Sequence, residues 1–351
     1  MAASIFEHHS AYARISLWQA MKLIIQIPCF NEAATLPIAL AALPRHIPGF
    51  DRVEWLIVDD GSSDGTLDAA RAAGVDHIIR HPHNRGLARA FMTGLEACLQ
   101  RGADVIVNTD ADNQYNAADI PSLVRPIYAG DADIVVGARP IDEIAHFSAI
   151  KKALQKFGSW VVRAVSRTDI PDTTSGFRAY SRHAAQRLTV FSNYTYTLET
   201  IIQAGQRDMS IVSVPIRVNG FLRPSRLVKS IGSYVMRSAH TILRIFVIYR
   251  PAAFFGTLGT ILLGAGVAVG LRFVYFWATG HGAGHVQSLI LASILVGAGF
   301  QTLLIAVIAD LLSTNRKLLE DVRFMVKQLQ TDRPAPPRLD KDATRAFEVV
   351  R

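Results

Sequence analysis

Through the first 140 residues, short apolar runs alternate with stretches of helical spacing. Leu23–Pro28, Val53–Asp60, His77–Arg80, Val105–Asp110 and Ile134–Arg139 are rich in β-branched residues and end in polar turns, the pattern of buried strands. Between them, Glu32–Leu43, Gly65–Ala73 and Leu87–Gln100 carry helical periodicity. This order predicts an α/β layer structure with a Rossmann-like, mostly parallel sheet. Such sheets bind ligands beyond the carboxyl ends of their strands. Four of the expected ends carry polar clusters, Pro28–Glu32, Asp59–Asp64, Asp110–Gln114 and Arg139, which points to one shared cleft.

The pattern changes after residue 250. Ala252–Leu271 and Val286–Ala309 are uncharged. At about 1.5 Å per helical residue, each is long enough to cross a hydrocarbon core of about 30 Å. Arg237, Arg244 and Arg250 precede the first run, Arg316, Lys317 and Arg323 follow the second, and the link Thr279–His285 has no Lys or Arg. That asymmetry predicts a multi-pass protein of the inner (cytoplasmic) membrane, with the N-terminal domain and both termini cytoplasmic. Arg272, beside Tyr275 and Trp277, is expected to snorkel to the interface. Gly264-Ala-Gly266 and Gly297-Ala-Gly299 suit helix packing within a subunit or between the copies of a homo-oligomer. Ile231, Val235, Ile242, Ile245 and Tyr249 recur at helical spacing opposite Arg237 and Arg244, an amphipathic helix for the interface.

Five divisions follow: an extension over 1–20, a catalytic domain over 21–222, a juxtamembrane segment over 223–250, two membrane helices over 251–312 and a cytoplasmic tail over 313–351. Residues 1–20 have no apolar core for an export signal, and Met21 directly precedes the first strand, so translation is expected to start there. The charged, proline-containing end from Thr331 reads as a flexible tail.

Composition narrows the partners. The formal charge is +8, from 37 Lys and Arg against 29 Asp and Glu, which suits an anionic partner. Nucleic acid fits the charge but leaves the two spans unexplained, so no nucleic-acid partner is expected. Cys29 and Cys98 make no disulfide framework or metal-site spacing and read as small buried side chains. His81 and His83 flank Pro82 without an evident carboxylate partner and read as loop or surface residues.

The densest chemistry is Asp110-Ala-Asp112-Asn-Gln114. Its oxygens could converge on one hard cation carrying a diphosphate, or could line a solvated turn, where Asp and Asn are common. Taken alone, the five residues leave those readings level.

With its neighbours, this stretch resembles a known family. Pro28-Cys-Phe-Asn31-Glu32, Val58-Asp59-Asp60-Gly-Ser-Ser-Asp64-Gly-Thr66, Asn84-Arg-Gly-Leu-Ala-Arg-Ala90 and Asp110-Ala-Asp112 resemble the inverting family 2 glycosyltransferases of GT-A fold. Thr174-Ser-Gly-Phe-Arg178 is similar to the polyprenyl-phosphate glycosyltransferases within it, among them the dolichol-phosphate mannose synthases. The resemblance covers residues 22–230, and the paired spans resemble the anchors of several members.

The resemblance implies that a sugar passes, with inversion, from a nucleotide-sugar such as GDP-mannose or a UDP-hexose to a membrane polyprenyl phosphate. It places Pro28, Asn31, Glu32, Asp59, Asp60 and Asp110 against the nucleotide-sugar. Asp110, Asp112 and Gln114 would hold Mg²⁺ or Mn²⁺, whose charge would neutralise the departing diphosphate. Arg139, Arg178, Arg223, Arg226 and Lys229 would meet the acceptor phosphate, with Asp112, Arg139 and Arg178 the catalytic set. For Asp64, a turn and helix cap is the stronger expectation. A phosphate acceptor is already anionic near neutral pH, so it needs positioning more than a base. Two alternatives stay open: a family 2 transferase with a hydroxyl acceptor and Glu199 as base, for which an exposed helix acid is an equal reading, and a non-catalytic membrane scaffold.

Overall fold

The computed structural model describes residues 21–140, 162–163, 166, 168–190, 196–220, 243–244, 247–281 and 286–331. Arg223, Arg226, Lys229, Arg237, the apolar positions from Ile231 to Ile245, the extension over 1–20 and the tail beyond 331 lie outside them.

Among the described residues, seven strands form one sheet. They are β1 (Lys22–Cys29), β2 (Arg52–Asp59), β3 (His77–Arg80), β4 (Val105–Asn108), β5 (Ile134–Ala138), β6 (Arg178–Ser181) and β7 (Ile211–Pro215). Their order is β3-β2-β1-β4-β6-β5-β7, parallel except for β6, which runs antiparallel to both neighbours. Helices α1 (Leu36–Ala42), α2 (Thr66–Ala72), α3 (Leu87–Gln100), α4 (Ile120–Tyr128), α5 (Arg182–Arg187) and α6 (Thr197–Gln206) accompany the sheet.

Period-two burial explains why the central strands read as unbroken apolar runs. Leu23, Ile25, Ile27, Val105 and Val107 pack with Leu36 and Leu40 of α1 and Ile120 and Leu123 of α4. Ile24, Leu56, Val58 and Ile106 face the other way, onto Phe91 and Leu95 of α3 and Ile201 and Ile202 of α6. A sheet covered on both faces has no polar face to alternate with.

Within residues 21–140 the predicted strands and helices are present, with shifted ends. β4 stops at Asn108, although the Thr109 N–H still donates to the Gln26 carbonyl at 3.1 Å. Four residues later than the pattern suggested, α1 starts at Leu36, because the preceding loop bonds across to β2's turn. β6 and β7 were not predicted. β6 carries Arg178 and Tyr180 where an apolar pattern would be expected, and β7 is a half-buried strand beside β5 at the end of the sheet.

Beyond the domain, α7 (Pro251–Ala278) and α8 (Val286–Thr331) are long and apolar enough to cross a membrane. They pack through glycines, in part as expected. A Cβ on Gly266 would lie 2.8 Å from the Val296 backbone, and one on Gly299 would lie 2.6 Å from that of Leu263. Gly264 and Gly297 face open space, while Gly259, outside both motifs, sits 2.9 Å from Leu303 by the same measure.

α8 continues past its apolar part and docks on the sheet domain. Glu320 pairs with Arg207 after α6 at 2.6 Å, and Arg323 and Lys327 reach Glu96 of α3 at 3.3 and 3.5 Å. Arg316 stacks over the Tyr249 ring, 4.4 Å from its centroid.

Candidate active site

β1 lies between β2 and β4, so the connections leaving β1 and β4 diverge toward opposite edges of the sheet. The crevice at their carboxyl ends is where such sheets bind ligands. Pro28 suits this place. Gln26 turns its carbonyl toward β4, and Pro28, two residues on, faces the same side beyond the last β1–β4 pair, Gln26 with Asn108. A missing N–H therefore breaks no ladder bond.

On the β1–β2 side the loops tie each other together. Asn31, at φ 55°, donates its N–H to Ser62 Oγ at 2.9 Å and accepts from the Ser63 N–H at 2.9 Å. Glu32 is buried, and its carboxylate accepts from Thr35 Oγ1 at 2.7 Å. Asp64 accepts from the N–H groups of Thr66 and Ala33 at 3.0 and 3.1 Å, the turn role expected of it, while Gly65 takes the helix N-cap position without a side-chain cap bond. Gly61 is required at φ 76°, where a Cβ would meet the His83 backbone at 2.6 Å.

Asp59 and Asp60 are adjacent yet differently placed. Asp59 is fully buried; its Oδ1 accepts from the Ser62 N–H at 3.0 Å, and its Oδ2 has no hydrogen-bond partner, with Arg80 Nε 3.4 Å away. A buried carboxylate oxygen left in this way suits a ligand donor such as a base N–H or ribose hydroxyl. Asp60 differs from expectation. Its oxygens accept from the N–H groups of Arg85 and Gly86 at 2.9 and 2.8 Å, and His81 Nδ1 lies 2.7 Å away. It anchors the loop before α3 rather than a nucleotide. His81 is likewise buried and paired, with Nε2 3.0 Å from Thr93 Oγ1, not a surface histidine.

Across the crevice, Asp112 Oδ1 accepts from the Gln114 N–H at 3.1 Å, while Asn219 holds the loop through the Gln114 and Asn113 carbonyls at 2.9 Å each. Burial first, and then the charge of Asp112, push the Asp110 carboxyl up to about 7. Tyr115 accepts from the Gly176 N–H at 2.9 Å. A Cβ on Gly176 would lie 3.2 Å from Asp110 Oδ2, so glycine lets this backbone close on the acid.

Below, Gln26 donates to Asn108 at 2.9 Å, and Asn108 donates to the Gly176 carbonyl and Tyr196 hydroxyl at 2.8 and 2.9 Å. This buried network pins β1, β4 and the segment before β6 together. Sequence reading missed it, since buried amides inside apolar strands carry no motif.

The two acceptor-side arginines separate. Arg139 is held by Asp172 at 2.6 and 3.0 Å and by Thr174 at 2.8 Å, and its charge acts on Asp110. Arg178 is fully buried and donates to the carbonyls of Ser175, Thr197 and Thr173 at 2.8 Å each and to Thr200 Oγ1 at 2.7 Å. It braces the turn before β6 against α6, which corrects its expected contact with an acceptor phosphate. Glu199, read as a base or an exposed acid, is buried and accepts from the Tyr249 hydroxyl at 3.0 Å.

Asp110, Asp112 and Asp172 outnumber Arg139, a surplus of negative charge that a divalent cation would relieve, and the oxygen donors suit Mg²⁺ or Mn²⁺. Among the described residues no group of three or more His, Cys, Asp or Glu side chains could hold an ion. The fit therefore requires further oxygens from a ligand or water.

Known proteins resemble this chain in sequence or in fold. The undecaprenyl-phosphate mannosyltransferase of Micrococcus luteus is 29% identical over 206 residues, covering 56% of this chain and 83% of the relative. The UDP-N-acetylglucosamine–dolichyl-phosphate N-acetylglucosaminyltransferase of Methanococcus voltae is 29% identical over 220 residues, covering 56% and 86%. A crystal structure of glucosyl-3-phosphoglycerate synthase from Mycobacterium tuberculosis with phosphoglyceric acid shares the fold at 19% identity and a TM-score of 0.51, over 69% of this chain and 85% of that one. Residues 24–189 match the family described as Glycosyl transferase family 2. With its GT-A-like sheet and its crevice at the β1–β4 switch, this part of the chain is a glycosyl transferase family 2 domain.

Proposed function

We propose that the protein transfers a sugar from a nucleotide-sugar to the phosphate of a membrane polyprenyl phosphate, with inversion at the anomeric carbon. The observation that carries this reading is the buried Arg139 beside the Asp110–Asp112 pair at one end of the sheet. One charge set suits a departing diphosphate with its cation, the other an incoming phosphate. The relatives whose names specify polyprenyl or dolichyl phosphate support the acceptor.

In this reading Asp59, Asn31, Glu32 and Pro28 line the nucleotide end, with Asp59 Oδ2 accepting from base or ribose. Mg²⁺ or Mn²⁺ held by Asp110, Asp112 and Gln114 would neutralise the diphosphate as the bond to the anomeric carbon breaks. Arg139 orients the acceptor phosphate, whose oxygen forms the new bond. That oxygen is already anionic, so no side chain need remove a proton. Arg223, Arg226 and Lys229 would draw the headgroup toward the cleft, α7 and the first half of α8 would span the inner membrane, and the catalytic domain would lie in the cytoplasm. The chain would divide at 21–222, 223–250, 251–312 and 313–351.

The test offers full-length protein a panel of GDP- and UDP-sugars with polyprenyl phosphate and Mn²⁺ or Mg²⁺ in vesicles, products being read by mass spectrometry. A polyprenyl-phosphate sugar is expected from at least one donor, and none across the panel would overturn the reading.

A further inference from the structure

Arg139 reaches the cleft already gripped. Its Nε and Nη2 lie along the Asp172 carboxylate at 2.6 and 3.0 Å, and Nη2 also donates to Thr174 Oγ1 at 2.8 Å. These contacts use three of the five guanidinium N–H groups. The remaining two, on Nη1, have no hydrogen-bond partner among the described residues, although the side chain is only 9% exposed. Guanidinium is planar, so fixing the Nε–Nη2 edge fixes the direction of Nη1.

Asp172 is itself secured. It is 1% exposed, and its Oδ1 accepts from the Thr174 hydroxyl and N–H at 3.0 and 3.3 Å. Without Asp172, Asp110 remains as a carboxylate whose charge acts on Arg139. An arginine drawn onto Asp110 would leave the acceptor side and cover the acid.

We propose that Asp172 is the positioning residue of the acceptor site: it holds Arg139 so that Nη1 meets the incoming phosphate and stays off Asp110. Asp172 touches no substrate, and its effect passes through Arg139. The inference rests on the polyprenyl-phosphate reading.

The experiment measures initial rates of the full chain in lipid nanodiscs against short-chain polyprenyl phosphate and, separately, against the sugar nucleotide. Asp172→Asn is expected to raise KM for the phosphate lipid about tenfold or more, because a small misplacement of a positioning group carries a large cost. The nucleotide-sugar KM and nucleoside diphosphate binding by calorimetry stay unchanged, and Asp172→Glu recovers part of the loss. Arg139→Ala shows the same signature, and adding Asp172→Asn to it changes nothing further, as two residues acting as one unit require. Thr174→Val leaves the carboxylate in place and shifts the same KM in the same direction by less, which keeps the test open if Asp172→Asn does not fold.

An unaltered lipid KM in these variants, equal loss on the donor side, or multiplicative effects of the two substitutions would overturn the positioning role while wild-type transfer to polyprenyl phosphate left the functional reading standing. Wild-type protein that binds nucleotide but glycosylates no polyprenyl phosphate would overturn that reading, and the phosphate-directed role with it.

Discussion

At the scale of single residues, identical side chains in adjacent motifs divide between chemistry and scaffolding according to their bonds. Asp112→Ala is expected to lower turnover at least about a hundredfold, the size of effect known for losing one stabiliser of developing charge. A chelator should do the same to the wild type; product counted by mass spectrometry checks both, and full activity in chelator would remove the cation from the reading. Arg178→Met should instead cost about 3 kcal/mol or more of stability, because four buried acceptors lose their donor. Thermal unfolding checks it, and an unchanged Tm with a raised acceptor KM would restore the arginine to the cleft. For the Asp172 carboxyl, burial is the largest influence and pushes upward, but the charge and hydrogen bonds of Arg139 outweigh it, so the group titrates below its usual range. A depressed carboxylate adds stability above its unfolded pKa, about 3.9, and loses it as pH falls through the folded value. The Tm gap between wild type and Asp172→Asn should therefore hold through neutral pH and close below about pH 4.

Elements show which parts of the fold were legible in the sequence and which were not. β1, β2 and β4 could be read because strands buried on both faces leave apolar runs, and the polar clusters beyond them follow from the switch point. β6 could not, since Arg178 and Tyr180 make it look like a loop and only the carbonyls supplied by α6 and the preceding turn explain a buried guanidinium. Asp172 was invisible for a related reason: its partner lies 33 residues away, and no local spacing records the pair. Glycine motifs were half legible. The small-residue runs pointed to all four glycines, but only the packing of α7 on α8 shows that Gly266 and Gly299 meet the other helix while Gly264 and Gly297 contribute nothing there. Gly266→Leu and Gly299→Leu should each lower the Tm of the purified protein in detergent, with Gly264→Leu and Gly297→Leu close to wild type. Equal effects at all four positions would mean that the helices pair differently.

For the whole molecule, the second half of α8 matters as much as the first. Glu320, Arg323 and Lys327 fasten it to Arg207, just after α6, and to Glu96 of α3. Glu320→Ala leaves the Arg207 guanidinium, 12% exposed, without its carboxylate, and hydrogen exchange should rise across 197–207 and 313–327 together. A rise confined to α8 would mean that the contact does not couple them. α8 runs without a break from the apolar stretch to this docking face, 46 residues or about 69 Å of helix, so no swivel separates span from domain. In the proposed orientation, the standoff of the cleft above the bilayer is then a length set by helix rise rather than by a linker. Meetings between cleft and acceptor become a planar search, counted in molecules per unit of surface. Diluting polyprenyl phosphate into more carrier lipid at constant bulk concentration should slow transfer in proportion, whereas diluting the vesicles themselves should not.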